Sequence, residues 1–195
     1  PALLPQARWL LIGTLPLAAP GSASALLSAV RQARNQGTAI ALDVNWRPTF
    51  WDADADPSAG PPPSAVAAIR PLLEQAALIK LAREEAIWFF GSAQAQVISG
   101  LLPQAPDVVV TDGAEPVTWW MEGASGCLPA FRPSDVVDTT GAGDAFTAGL
   151  LHCWDLPPAH RLRFAAGCGA LVCSGAGGID PQPSAQEVEA FIAEA

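Results

Sequence analysis

Apolar runs of strand length alternate along this chain with segments whose apolar residues recur at helical spacing, and few architectures accept that alternation. It predicts an α/β fold, a mostly parallel sheet flanked by helices. The strands are expected over Arg8 to Ile12, Thr38 to Leu42, Ala77 to Leu81 and Asp107 to Thr111. The helices between them are expected over Ser24 to Asn35, Ala65 to Gln75, Glu84 to Phe90 and Val97 to Leu102. The first of these places Leu26, Leu27, Val30 and Ala33 on one face and ends at Gly37. Gly91 closes the third. Pro48 to Pro63, rich in Pro, Gly and Asp, reads as an exposed loop.

Further on, Val117 to Trp120 and Cys127 to Phe131 suit an antiparallel hairpin turning around Gly123 to Gly126. Ala142 to Cys153 and Ala159 to Cys173 have helical patterns. Ser184-Ala185-Gln186-Glu187 is a capping box opening the last helix, because each outer side chain can satisfy the other's free backbone N–H.

Composition excludes several classes. Half of the 195 residues are apolar and 15% are charged, which argues for a packed core; residues 1–195 read as a single domain. The net charge is −9, and Lys80 is the only lysine, so nucleic acid is excluded as a partner. No apolar stretch is long enough to span a bilayer, so no membrane partner is expected. Cys127, Cys153, Cys168 and Cys173 form no CxxC pair, and with only two histidines they suit no zinc ligand set. They read as buried thiols of a reducing, cytoplasmic protein. A competing reading takes Arg8, the apolar run Trp9 to Leu15 and Ser22-Ala23-Ser24-Ala25 as a secretory leader with its cleavage site. Pro16 and Pro20 interrupt that run, and the same residues suit a buried strand, a turn and a helix.

The segment with the most chemistry is Asp138-Thr139-Thr140-Gly141-Ala142-Gly143-Asp144-Ala145-Phe146-Thr147-Ala148-Gly149-Leu150-Leu151, a glycine-rich turn running into a helix. The first helical N–H groups have no intrahelical acceptor, and the helix dipole adds positive character there, so an anion is favoured. Taken alone, such a turn also serves as an ordinary helix cap. Asp144 would repel a simple anion, but it makes sense as a base for a hydroxyl that attacks phosphorus.

Those fourteen residues match the signature DTxGAGDxFxxGxL, and the chain resembles the ribokinase-like (PfkB) carbohydrate kinases, most of all their fructokinase-like members. The resemblance implies a ribokinase-like fold, with an anion hole built from Gly141, Ala142 and Gly143 and with Asp144 as catalytic base. Three weaker segments line up with it. Asp43-Val44-Asn45-Trp46-Arg47-Pro48 resembles the D-x-N-x-R-P segment, which implies ATP contact at Asn45 and a phosphate or substrate contact at Arg47. Lys80-Leu81-Ala82-Arg83-Glu84-Glu85 resembles the N-x-x-E region, so that Glu85 would organise Mg²⁺ through water, although Ala82 replaces the asparagine. Thr111-Asp112-Gly113-Ala114-Glu115-Pro116 resembles the T-x-G-x-x-G nucleotide loop at Thr111 and Gly113, with Pro116 in place of the last glycine. Each segment follows a strand, where open α/β sheets bind ligands. Trp46 and Trp51 are candidate walls for a substrate, whereas Trp9, Trp88, Trp119 and Trp120 read as core.

The resemblance further implies ATP and Mg²⁺ as cofactors, with K⁺ at Asp138 and Thr140, and a small-molecule sugar as substrate. A homodimer is a further expectation. The reaction implied is phosphorylation of a primary hydroxyl, fructose being favoured by Arg47-Pro48 to Trp51 and 2-dehydro-3-deoxygluconate, ribose or a nucleoside remaining open. The family's glycine-rich N-terminal sugar-binding segment and its β lid have no counterpart here. The chain therefore reads as a C-terminal, ATP-binding portion, and by itself as a weak or inactive kinase. The alternative is a remnant that binds nucleotide without turnover.

Overall fold

The computed structural model of the protein describes residues 3–194. Six strands form one sheet in sequence order: β1 (Trp9–Gly13), β2 (Ala39–Asp43), β3 (Leu78–Ala82), β4 (Asp107–Asp112), β5 (Glu115–Met121) and β6 (Ala124–Leu128). The first four are parallel, with Leu11 beside Ala41, Leu42 beside Ile79 and Ile79 beside Val108. Helices α1 (Pro20–Asn35), α2 (Pro48–Trp51), α3 (Pro63–Leu73), α4 (Arg83–Phe90) and α5 (Ala95–Gly100) lie between these strands in sequence, followed by α6 (Ala142–His152), α7 (Pro158–Val172) and α8 (Ala185–Glu194). Continuous burial of Ile40 to Asp43 and of Leu78 to Leu81 explains why these strands read as apolar runs, interrupted only by Asp43 and Lys80. A parallel strand covered on both faces has no polar side to alternate with.

Chain contacts divide the protein into two compact units. The first runs up to Thr111 and includes Thr118–Ser125. Its core is formed by Ile40, Leu42, Ile79, Leu81, Val108 and Val110 of the sheet with Val30, Ile69, Leu72 and Ile98 of the helices. The residues that imitate a secretory leader fold into this unit as β1 and α1, and Ile12, Leu26 and Val30 lie in the core. No described helix is long and apolar enough to cross a membrane.

The second unit comprises Asp112–Val117 and the chain from Gly126 onward. Here α6, α7 and α8 pack through small residues. A Cβ added at Gly149 would lie 2.7 Å from Cys168 Sγ and 3.1 Å from Ala165 Cα, so the two helices approach as closely as a hydrogen side chain allows. Cys153, Cys168 and Cys173 are buried free thiols around the same contact, whereas Cys127, expected to be buried with them, is exposed in β6. Burial pushes the Cys168 thiol up to about 11, with Cys153 adding to the effect.

Several expectations need correction. The segment Pro48 to Pro63 is not simply an exposed excursion: it opens with the turn of helix α2, Trp46 and Pro48 are buried beside it, and Trp46 Nε1 donates to Ala59 O at 2.8 Å. The hairpin turns at Glu122–Gly123 (φ 54° and 80°), which starts β6 at Ala124 instead of Cys127. Paired positive φ angles suit the tight turn that matches strand twist. Trp46 is core and stacks on Trp51 (centroids 5.5 Å apart) instead of walling a pocket, whereas Trp88 is 38% exposed and lies over Gly60.

The α6–α7 contact gives a direct test. Alanine is the better helix former, yet Gly149→Ala should destabilise the protein by about 1–3 kcal/mol, because the added methyl overpacks the crossing. Urea denaturation of wild type and variant measures this.

Candidate active site

In the first unit the site residues gather at the carboxyl ends of β2 and β3. Immediately after β2, Asn45 takes a left-handed conformation (φ 44°) that turns the chain away from the sheet. Arg47 is exposed, and its Nη1 donates to Trp46 O at 2.9 Å. After β3, α4 begins with Ala82 as its N-cap, and Glu85 occupies the third helical position. Glu85 Oε2 accepts the Ala82 N–H at 2.7 Å, and Oε1 accepts the Trp46 N–H at 2.6 Å. Burial pushes the Glu85 carboxyl up, opposed by those two N–H bonds and by Lys80, while Asp43 adds to the upward shift. The structure thus brings Asn45, Arg47 and Glu85 together through Trp46.

Beside them lies a feature that motif matching missed. Lys80 Nζ bonds both oxygens of Asp43, at 2.9 and 3.2 Å, in a buried ion pair between adjacent strands. Its sequence signal was present: Lys80 is the only lysine, and it sits inside the apolar run of β3. Thr111 lies in β4, as the strand expected over Asp107 to Thr111 has it, with Oγ1 donating to Leu81 O at 3.4 Å.

In the second unit Gly113 (φ 56°) makes the turn between β4 and β5, with open space where a Cβ would stand. Pro116 is the second residue of β5, so the segment is a tight hairpin and not an extended loop. The glycine turn carries more structure. Gly141 is the N-cap of α6 with φ 81°, and a Cβ there would lie 2.8 Å from Gly178 Cα. The Ala142 N–H donates to Thr139 O (3.2 Å), and the Ala145 N–H makes the first helical bond to Gly141 O (2.8 Å). The N–H groups between them, of Gly143 and Asp144, occupy helix positions without intrahelical acceptors. Asp144 is exposed in this first turn.

Asp138 ties the turn to a later loop. Its Oδ1 accepts the Thr140 N–H and Oγ1–H (2.9 and 2.7 Å), and its Oδ2 accepts the Gly177 N–H (2.9 Å). These bonds, the Thr140 hydroxyl first, hold the Asp138 carboxyl below its usual range. No cluster of three or more His, Cys, Asp or Glu able to hold a metal occurs among the described residues.

The start of α6 thus combines an exposed carboxylate, a glycine N-cap and two amides without intrahelical acceptors. The chain belongs to the pfkB carbohydrate kinase family, which it matches over residues 2–185. It is 29% identical to a fructokinase of Vibrio alginolyticus over 97% of this chain and 62% of that one. With a probable chloroplastic fructokinase-6 of Arabidopsis thaliana it shares 31% identity, over 99% of this chain and 51% of the relative. Among solved structures, a fructokinase of Xylella fastidiosa with bound ATP superposes with TM-score 0.80 at 26% identity, covering 99% of this chain and 63% of that one. A fructokinase of Vibrio cholerae bound to fructose, ADP and calcium superposes with TM-score 0.80 at 27% identity, covering 95% and 61%. The chain therefore spans between half and two thirds of the length of these relatives.

The glycine turn has a test that needs no ligand. Gly141→Ala forces a side chain into left-handed backbone and against Gly178, and should lower stability by about 1–3 kcal/mol. Thermal unfolding of the variant measures the loss.

Proposed function

We propose that the protein takes part in ATP-dependent phosphorylation of the primary hydroxyl of a sugar, with fructose as the favoured acceptor. The observation that carries this reading is the start of α6, where the unpaired amides of Gly143 and Asp144 lie beside the exposed Asp144 carboxylate. The fructose and ATP complexes of the related fructokinases support it.

In this reading Asp144 takes the proton of the sugar hydroxyl as its oxygen bonds to the γ-phosphorus, and the bond from that phosphorus to the bridging oxygen breaks to release ADP. The amides of Gly143 and Asp144 stabilise charge on the phosphoryl group in flight, whereas the Ala142 N–H, expected to share in the anion hole, is already given to Thr139 O. Asn45, Thr111 and Gly113 contact ATP, and Arg47 holds phosphate or substrate through a charge-assisted fork.

The donor set fits Mg²⁺ only as an ion that arrives on the nucleotide with its own waters, since Glu85 is buried and both its oxygens already accept backbone N–H groups. When bound, the ion would neutralise phosphate charge; Glu85 would act on it through water. A monovalent cation would have to share the Asp138 carboxylate with the Thr140 and Gly177 donors. The buried free thiols suit a reducing cytoplasm.

The test is an assay of the full gene product with ATP, Mg²⁺ and a sugar panel. Fructose should be the best acceptor. Asp144→Asn should lower turnover about 10²- to 10⁴-fold while nucleotide binding persists. Undiminished turnover in that variant removes the general base, and no turnover with any acceptor favours a nucleotide-binding remnant.

A further inference from the structure

We propose that Glu85 is a positioning residue, a buried strut that fixes the loop carrying Asn45 and Arg47. The inference rests on the kinase reading for its catalytic meaning, but its geometry stands without it.

Trp46 lies beyond the end of β2, so its N–H has no strand partner, and Trp46 is only 4% exposed. A buried backbone donor must be satisfied from somewhere. Glu85 Oε1 supplies the acceptor at 2.6 Å, across 39 positions of sequence. The other oxygen closes the cap of α4 at Ala82 N–H, so one carboxylate joins the loop after β2 to the helix after β3. Glutamine cannot replace it, because its amide NH₂ would face one of the two donors. Lys80 and Asp43, the charged groups acting on Glu85, are themselves locked together in the adjacent strands.

The consequence falls on the neighbours of Trp46. Asn45 holds a left-handed conformation, which asparagine tolerates better than most side chains and which its surroundings here help to fix. Those surroundings include the Trp46 anchors: its N–H on Glu85, its indole N–H on Ala59 O, its ring against Trp51, and its carbonyl accepting from Arg47. Releasing the Trp46 N–H frees the backbone on both sides, where the proposed nucleotide and phosphate contacts stand. Glu85 therefore acts on the site through Asn45 and Arg47, whatever influence it has on Mg²⁺.

The experiment has a structural and a kinetic arm, both on the full gene product. Amide hydrogen exchange on the wild type should show Trp46 N–H as protected as the amides of β2 and β3. Exchange at the rate of an open loop overturns the strut. In Glu85→Gln, amide NMR signals of Asn45, Trp46 and Arg47 should shift, and the KM for ATP should rise about tenfold or more with the Mg²⁺ activation constant within about twofold of wild type. A raised Mg²⁺ constant with those amide signals unmoved overturns the proposal in favour of a metal role. If Glu85→Gln does not fold, Glu85→Asp, charged but one methylene too short to span both amides, is read the same way. Failure of the kinase reading shows separately, as absence of turnover in the wild type, and leaves the exchange and NMR arms to judge the strut.

Discussion

Two backbone segments meet at Gly141 and Gly178 with no room for a side chain on Gly141, and the start of α6 depends on that approach. The positive φ of Gly141 reverses the chain so that α6 can begin there, and the absent Cβ lets the later glycine loop lie against the turn. Asp138 then secures the same juncture with three donors, from Thr140 and Gly177. Amides aimed outward at a helix start are common, but a start held in place from both sides is preorganised, and preorganisation is what makes such dipoles effective on a transferring charge.

The first unit solves a different problem. Its central strands β2 and β3 are buried on both faces, so a polar side chain buried at their carboxyl ends needs a partner inside the protein. Asp43 and Lys80 satisfy one another, and the Glu85 carboxylate is satisfied by main-chain donors. Removing either member of the ion pair would leave an uncompensated buried charge, which is costlier than the pair itself is stabilising. These groups give the strand ends a fixed polar framework from which Asn45 and Arg47 project.

Departures from the family motifs become intelligible in the same terms. Alanine at position 82 suffices as the N-cap because the helix is closed from within by Glu85, which takes the Ala82 N–H. Proline at 116 is tolerated because Gly113 has already turned the chain into β5, two positions after the strand's hairpin turn. The tryptophans divide by burial and not by motif: Trp46 anchors a loop from inside, and Trp88 covers Gly60 from outside.

The order of strands and helices, the parallel sheet and the glycine-opened helix with its aspartate were legible in the sequence, because apolar periodicity and glycine placement are local properties. The closing Ser184–Glu187 cap was legible for the same reason, and both reciprocal bonds are present. What lay outside local reach was every contact between distant positions. The Glu85 bond to Trp46, the Lys80–Asp43 pair, the Asp138 tie to Gly177 and the glycine contact at 141 and 178 join residues 37 to 39 positions apart. Sequence alone determined which residues are candidates for a phosphoryl group, since candidacy is a matter of side-chain chemistry and turn-forming ability. Only the tertiary structure decided which of them are free to meet a ligand and which are already engaged in holding the framework, because engagement depends on what folding brings alongside.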